Sequence, residues 1–321
     1  MKIAVVGCGA LGSYYGACLC RAGHQTHFLL RSDYEAVARE GVRILQDRGG
    51  FQVHPLAART PEEIGCVDLV LIGLKTTANP QFATLLPPLV GPETLVLTLQ
   101  NGLGNEEALA DLFPPSQILG GLCFVCLNRL EPGVIQHIAH GRIVMGEFGR
   151  PSLPRTHALA GVLEDAGIPC TVTENLAKAH WEKLVWNIPF NGLGVASAAG
   201  LEGVRAGTFS GRPDRTACWT TDRLLSDPDW VQLVRELMLE VISIAAAQGH
   251  AIPREYADYQ MDRTREMGAY RASTLIDFER GLPLERNSLF MEPLRQARRA
   301  GVSTPRLEKL DRLLGMLESG H

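Results

Sequence analysis

The chain has no apolar run able to span a bilayer. Its longest, such as Val67 to Leu74, are interrupted by Asp68 or Gly73 and fall short of the ~20 residues a membrane helix needs. It has no surplus of one charge either: 31 Lys and Arg stand against 35 Asp and Glu, a formal net charge of −4, spread without a run of one sign. A basic face for nucleic-acid phosphates is therefore missing, and neither nucleic acid nor membrane is expected as a partner. Cysteines occur, but not as a metal-ligand set. Cys123-Phe124-Val125-Cys126 has the spacing of a metal or redox pair, yet no second pair and no His partner follows at finger spacing. No metal is expected, and both thiols are read as buried strand packing. No cleavable leader precedes Met1-Lys2-Ile3-Ala4-Val5, which already reads as a strand; a cytoplasmic protein with free thiols is expected.

What is present is an ordinary globular composition, 45% hydrophobic and 21% charged, and the 321 residues predict two domains at ~150 residues each. The pattern changes near Gly167-Ile168-Pro169, which divides the chain into residues 1–170 and 171–321. Ahead of that link, strands and helices alternate. Lys2 to Val6 is a short β-branched run that breaks at Gly7, a helix-like stretch from Ala10 to Ala22 closes at Gly23, and a second strand follows from Gln25 to Leu30. Further strands are expected at Asp68 to Leu74, Thr94 to Thr98 and Ile118 to Val125, with Ile143 to Gly146 near the sheet edge. Alternation of this kind predicts an α/β fold whose N-terminal half is a Rossmann-type doubly wound sheet.

Between the first strand and the first helix lies Gly7-Cys8-Gly9-Ala10-Leu11-Gly12, the G-x-G-x-x-G spacing. The first glycine makes a tight turn, the second lets the backbone approach a pyrophosphate, and the third lets helix and strand pack closely, with the helix N-terminus facing the anion. The end of the second strand then separates two cofactors. An NAD enzyme usually places Asp or Glu there for the ribose 2'-hydroxyl, whereas this chain reads His27-Phe28-Leu29-Leu30-Arg31-Ser32. Arg31 would bind a 2'-phosphate through a charge-assisted fork, so NADP(H) is expected. Ligands of such sheets lie beyond the carboxyl ends of the strands, where Lys75-Thr76-Thr77 and Gln100-Asn101-Gly102 stand. Lys75 would neutralise cofactor phosphate, and Asn101 would hydrogen-bond a ribose, the nicotinamide amide or a substrate; turn chemistry is the alternative use of an Asn-Gly pair.

From about Asn175 the period becomes 3.6 residues with few strand signals, so the second domain is expected to be all-helical. Its informative stretch runs from Trp181 to Asn191. Lys183, Asn187 and Asn191 stand at i, i+4 and i+8, on one helix face among Trp, Leu, Val, Ile and Phe. One lysine and two amides in apolar company suggest a polar stripe inside a cleft rather than a solvated surface, although a surface lysine is the plain alternative. Pro189 removes a backbone donor beside the stripe and is expected to distort the helix. A protonated lysine in such a place stabilises a developing alkoxide and supplies the proton that follows hydride addition, while the amides orient the carbonyl and its neighbours. Further helices are expected at Trp230 to Gln248, Arg271 to Arg280, Leu294 to Gly301 and Pro305 to Leu317.

With the glycine motif, Lys75, Gln100-Asn101-Gly102, Lys183-x-x-x-Asn187-x-x-x-Asn191, the pair Ser273 and Glu285, and the closing Gly301-Val302-Ser303-Thr304-Pro305, the chain resembles the ketopantoate reductases nearly end to end. The resemblance implies NADPH-dependent reduction of ketopantoate to pantoate, on the route to pantothenate and coenzyme A. It implies that Lys183 is the proton donor, that Asn187, Asn191 and Ser273 contact substrate, and that Asn101 touches both substrate and cofactor. Gly7, Cys8, Gly9, Ala10, Leu11 and Gly12 would cradle the cofactor, with Arg31 and Lys75 on its 2'-phosphate and adenine side. Asn128 would lie near the nicotinamide and Glu285 would be a cofactor-side carboxylate near the lysine. Two departures bear on the substrate. Leu201 stands where relatives commonly carry another substrate amide, followed by an apparent insertion from about Gly200 to Asp227, and Glu285 precedes Arg286-Asn287-Ser288 where Ile or Leu and an acid are more usual. A reductase of another 2-keto acid is therefore the second expectation, and a non-catalytic NADP-sensing module the third. The partners expected are a small 2-keto acid and, at most, a second copy of the chain: a monomer or homodimer.

Overall fold

The computed structural model describes residues 1–47 and 49–319 and divides into two compact units, Met1–Ala179 and His180–His321. The first unit is built on a ten-stranded sheet. Its strands are β1 (Lys2–Val6), β2 (Gln25–Leu29), β3 (Val42–Leu45), β4 (Phe51–Val53), β5 (Leu56–Ala58), β6 (Val67–Ile72), β7 (Val90–Thr98), β8 (Ile118–Glu131), β9 (Val134–Glu147) and β10 (Cys170–Val172). Six helices accompany them: α1 (Ala10–Arg21), α2 (Tyr34–Glu40), α3 (Pro61–Ile64), α4 (Phe82–Leu85), α5 (Asn105–Ala110) and α6 (Pro154–Asp165).

The parallel part runs in the order β8-β7-β6-β1-β2-β5, with β1 between β6 and β2. This is the expected Rossmann-type core. Both faces of β1 are buried, which is why its sequence is continuously apolar rather than alternating. Ile3 and Val5 join one apolar cluster with Phe28, Leu69 and Leu97, while Ala4 and Val6 join a second with Val70, Ile72 and Val96.

Beyond that core the sheet is mixed. β8 and β9 form a long antiparallel hairpin, β3 pairs parallel to β9, and β4 pairs antiparallel to β3. The hairpin extends well past the expected ends at Val125 and Ile143. Its turn is Pro132-Gly133, with Gly133 at φ 72°, a turn dipeptide hidden among residues whose mixed polarity reads as loop. β10 pairs parallel to β9, so the sheet continues past residue 170, where the first domain was expected to end. Cys123 and Cys126 both lie on β8, and no group of metal-binding side chains occurs among the described residues.

In the second unit the described residues form helices and turns only. They are α7 (Leu176–Ala196, which begins just before the unit does), α8 (Gly200–Ala206), α9 (Thr221–Ser226), α10 (Pro228–Ala247), α11 (Glu255–Arg265), α12 (Ser273–Glu279), α13 (Glu292–Arg299) and α14 (Pro305–Ser319). Asp227 caps α10 by accepting from the Asp229 and Trp230 amides, with Pro228 in the first turn. The core follows the helical period: Leu307, Leu310, Leu313, Leu314 and Leu317 of α14 are buried, as are Leu184, Val185 and Ile188 of α7. Pro189 lies inside α7 without ending it; its missing N–H leaves the Val185 carbonyl without the usual helical partner.

The apparent insertion is docked rather than looped out. Trp219 N–H donates to the Gly194 carbonyl and to Ser197 Oγ at the end of α7, and Arg215 donates to the Phe278 carbonyl of α12. Leu201 stands on α8 and offers no hydrogen-bonding group. No described helix is long and apolar enough to cross a membrane.

Candidate active site

The three glycines after β1 behave as their spacing requires. Gly7 has φ 96°, and a Cβ there would overlap the backbone of Gly73 and Leu74 after β6. A Cβ on Gly12 would overlap the Gly7 carbonyl, so only glycine lets α1 start this close to the turn. Gly9 is different: its φ is −74°, and a Cβ would meet nothing within 4 Å. Open space above Gly9, and a first turn of α1 without acidic residues, fit a dinucleotide pyrophosphate, which needs backbone approach and a positive helix end. Cys8 is held beneath the turn, its Sγ donating to the Val5 and Leu29 carbonyls at 3.4 and 3.5 Å. Burial, and then the Asp33 charge, push its thiol pKa up, so Cys8 is a packing residue and not a thiolate.

These geometries separate two substitutions. Gly7→Ala should lose stability by on the order of 1–2 kcal/mol or more, because a side chain is forced into a left-handed, occupied position. Gly9→Ala should unfold like the parent yet bind dinucleotide more weakly. Denaturant titration beside a cofactor titration checks both; equal stability of the two variants would contradict the assignment of Gly7.

Arg31 follows the end of β2 and is exposed, with its carbonyl accepting from Tyr34 N–H at 3.3 Å. Lys75, also exposed, follows β6 at the start of a 3₁₀ turn. Asn101 follows β7 in a loop whose Gly102 and Gly104 have φ 85° and 88°. A chain of buried and half-buried polar side chains fixes this loop. Thr98 Oγ1 donates to Gln100 Oε1 at 2.9 Å, Gln100 Nε2 to Asn79 Oδ1 at 2.8 Å, Asn79 Nδ2 to Asn105 Oδ1 at 2.9 Å, and Asn105 Nδ2 to the Asn101 carbonyl at 3.1 Å. Asn105 is fully buried. A relay satisfied at each link is rigid, so Asn101 is presented on a fixed loop and not on a floppy Asn-Gly turn.

Asn128 is on β8 opposite Gln136 and is placed by strand pairing rather than by contact with the other candidates. Its neighbour Arg129 is the residue that sequence inspection misses. Its guanidinium reaches Asp33, just past Arg31, and Ser32 Oγ donates to the same carboxylate at 2.9 Å. With Arg129 and Asp33 96 positions apart in the chain, no local spacing reveals the pair.

In the second unit α7 carries Lys183, half-buried, with Asn187 and Asn191 buried on the same face. Asn191 Oδ1 accepts from the Thr274 N–H at 3.0 Å and from Ser273 Oγ at 3.3 Å. Those bonds join the stripe to the first turn of α12 and bring Ser273 to the amide. They also leave the Asn191 Nδ2 donors as the capacity it offers a ligand. Aromatic packing steadies the helix beside the stripe: the Trp186 ring lies 5.0 Å from that of Phe190, and its Nε1 donates to Thr264 Oγ1 at 2.9 Å. Glu285 is buried, its carbonyl accepting from Leu289 N–H at 3.2 Å and Ser288 Oγ at 3.3 Å. Asn191→Ala should cost about 1–3 kcal/mol, because the buried Thr274 N–H loses its acceptor. Urea unfolding measures it, and an unchanged midpoint would remove Asn191 as the link between α7 and α12.

A glycine-rich turn on a parallel sheet, followed by a helical unit with a lysine–amide face, is the make-up of an NAD(P)-dependent oxidoreductase. Comparison with known proteins narrows the class. The family profile described as "Ketopantoate reductase PanE/ApbA" matches residues 3–150, and that described as "Ketopantoate reductase PanE/ApbA C terminal" matches residues 216–318. The chain belongs to the ketopantoate reductase family. It is 38% identical to the 2-dehydropantoate 2-reductase of Nostoc sp. strain PCC 7120 over 99% of this chain and 95% of the relative. Among solved structures, the 2-dehydropantoate 2-reductase of Geobacter metallireducens superposes with a TM-score of 0.90 at 45% identity, covering 98% of this chain and 99% of that one. That of Methylococcus capsulatus gives 0.86 at 33% identity, covering 99% and 97%.

Proposed function

We propose that this oxidoreductase reduces 2-dehydropantoate (ketopantoate) to pantoate with NADPH, and that Lys183 delivers the proton. The observation that carries the reading is the face of α7, where one half-buried lysine and two buried amides stand in line and Asn191 is tied to Ser273. When bound, the reduced nicotinamide supplies the hydride. Lys183, as an ammonium, stabilises the negative charge that builds on the carbonyl oxygen of the 2-keto acid and then gives that oxygen its proton. Asn187, the Asn191 donors and Ser273 orient the carbonyl and the adjoining carboxylate, which fixes which face of the ketone is attacked. Gly7 to Gly12 hold the pyrophosphate, Arg31 and Lys75 the 2'-phosphate and adenine side, and Asn101 the nicotinamide-side ribose or the substrate. Asn128 and Glu285 complete the cofactor contacts in this reading.

The particular keto acid is supported by the relatives named 2-dehydropantoate 2-reductase. A panel of 2-keto acids assayed with NADPH tests it. Ketopantoate should be preferred; a clear preference for a keto acid without its gem-dimethyl and hydroxymethyl groups would replace it by another substrate with Lys183 in the same role. The reading places the reaction in pantothenate and coenzyme A synthesis, in the cytoplasm.

A further inference from the structure

We propose that Arg129 is a positioning residue that sets cofactor preference, by neutralising Asp33 so that a 2'-phosphate is accepted where an uncovered Asp33 would repel it. The proposal rests on the NADPH reading above. Asp33 lies four residues after the end of β2, in the stretch where NAD enzymes carry the carboxylate that accepts from the ribose 2'-hydroxyl and rejects a phosphate. Its charge is felt at the glycine turn, since it helps to raise the thiol pKa of Cys8. Read alone, Asp33 contradicts Arg31.

The geometry removes the contradiction. Arg129 Nη2 donates to both Asp33 oxygens at 2.6 and 2.7 Å, and its Nε donates to Oδ2 at 3.1 Å. Ser32 Oγ adds a fourth bond at 2.9 Å. Asp33 is only 8% exposed, and a carboxylate so buried is stable as an anion only when paired. The planar, two-pronged guanidinium is the group suited to this. The neighbouring cation is committed elsewhere: Arg59 stacks on the Tyr34 ring at 3.8 Å and pairs with Glu35. Arg129 thus cancels the charge of Asp33 and leaves the charge of Arg31 for the phosphate. It arrives from the far end of the β8–β9 hairpin, which gives that extension a function in the site.

The test compares KM for NADPH and for NADH in wild type, Arg129→Leu, Asp33→Asn and the double variant. Arg129→Leu should raise KM for NADPH by about tenfold or more through exposure of an unpaired negative charge, with KM for NADH changed little. Adding Asp33→Asn should restore most of the NADPH affinity, which a merely structural role would not do. If Arg129→Leu does not fold, Asp33→Asn alone decides: it should keep or sharpen the preference for NADPH, and a weaker preference would overturn the proposal. Equal loss for both cofactors in Arg129→Leu, or no rescue in the double variant, would also overturn it. Arg31→Ala separates the two levels. A wild type without NADPH preference fails the cofactor reading and this inference together, whereas a preference lost in Arg31→Ala but intact in Arg129→Leu fails this inference alone.

Discussion

Replacing Lys183 with Ala is expected to lower kcat by on the order of a hundredfold or more, the range lost with a positioned general acid, while NADPH binds as tightly as before. The split follows from where the residue stands. Lys183 is on α7 in the second compact unit, whereas the glycine turn, Arg31 and Lys75 belong to the first. Loss of the ammonium removes both the charge that stabilises the developing alkoxide and the proton that quenches it. It leaves Asn191 and its bonds to Ser273 and Thr274 in place. Steady-state turnover beside a fluorescence titration of NADPH measures the two quantities. Near-normal turnover would take the proton from another donor; a parallel loss of NADPH affinity would make Lys183 a cofactor contact instead.

The second large effect concerns Arg31. Arg31→Ala should raise KM for NADPH by at least about tenfold, by loss of a charge-assisted fork on the phosphate, and should leave KM for NADH close to its starting value. Arg31 is exposed at the end of β2, and the carboxylate nearest to it in sequence, Asp33, is neutralised by Arg129. No stability change is expected from removing an exposed side chain, so the thermal midpoint serves as the control. An equal loss for the two dinucleotides would show that Arg31 does not read the phosphate.

The parts of this protein that were legible in its sequence are those set by local chemistry. Gly7, Gly9 and Gly12 announce the turn because each position excludes or requires a side chain for its own reason, and the structure gives the three positions three different surroundings. The buried strands β1 and β6, and the last residues of β7, read as apolar runs because both faces of the sheet are covered there. The i, i+4, i+8 spacing placed Lys183, Asn187 and Asn191 on one face of α7, because a helix allows nothing else.

The parts that were hidden depend on distant partners. The outer strands β3, β4, β5 and β10 are four residues long or shorter and exist because a neighbour offers a hydrogen-bonding edge, which their own sequences do not encode. The outer half of the β8–β9 hairpin is hidden because its residues are of mixed polarity. The pairing of Arg129 with Asp33 joins two elements far apart in the chain. The relay from Thr98 to Asn105 consists of polar residues that would each pass for loop surface; only their hydrogen bonds to one another show them to be a scaffold for Asn101.

The most direct test of the central claim is the rate of NADPH oxidation by the purified protein with ketopantoate as substrate, run beside NADH. Fast turnover that requires NADPH and yields pantoate is the predicted result. Tight NADPH binding without turnover of ketopantoate would contradict it, leaving the fold and the dinucleotide site intact and the substrate wrong.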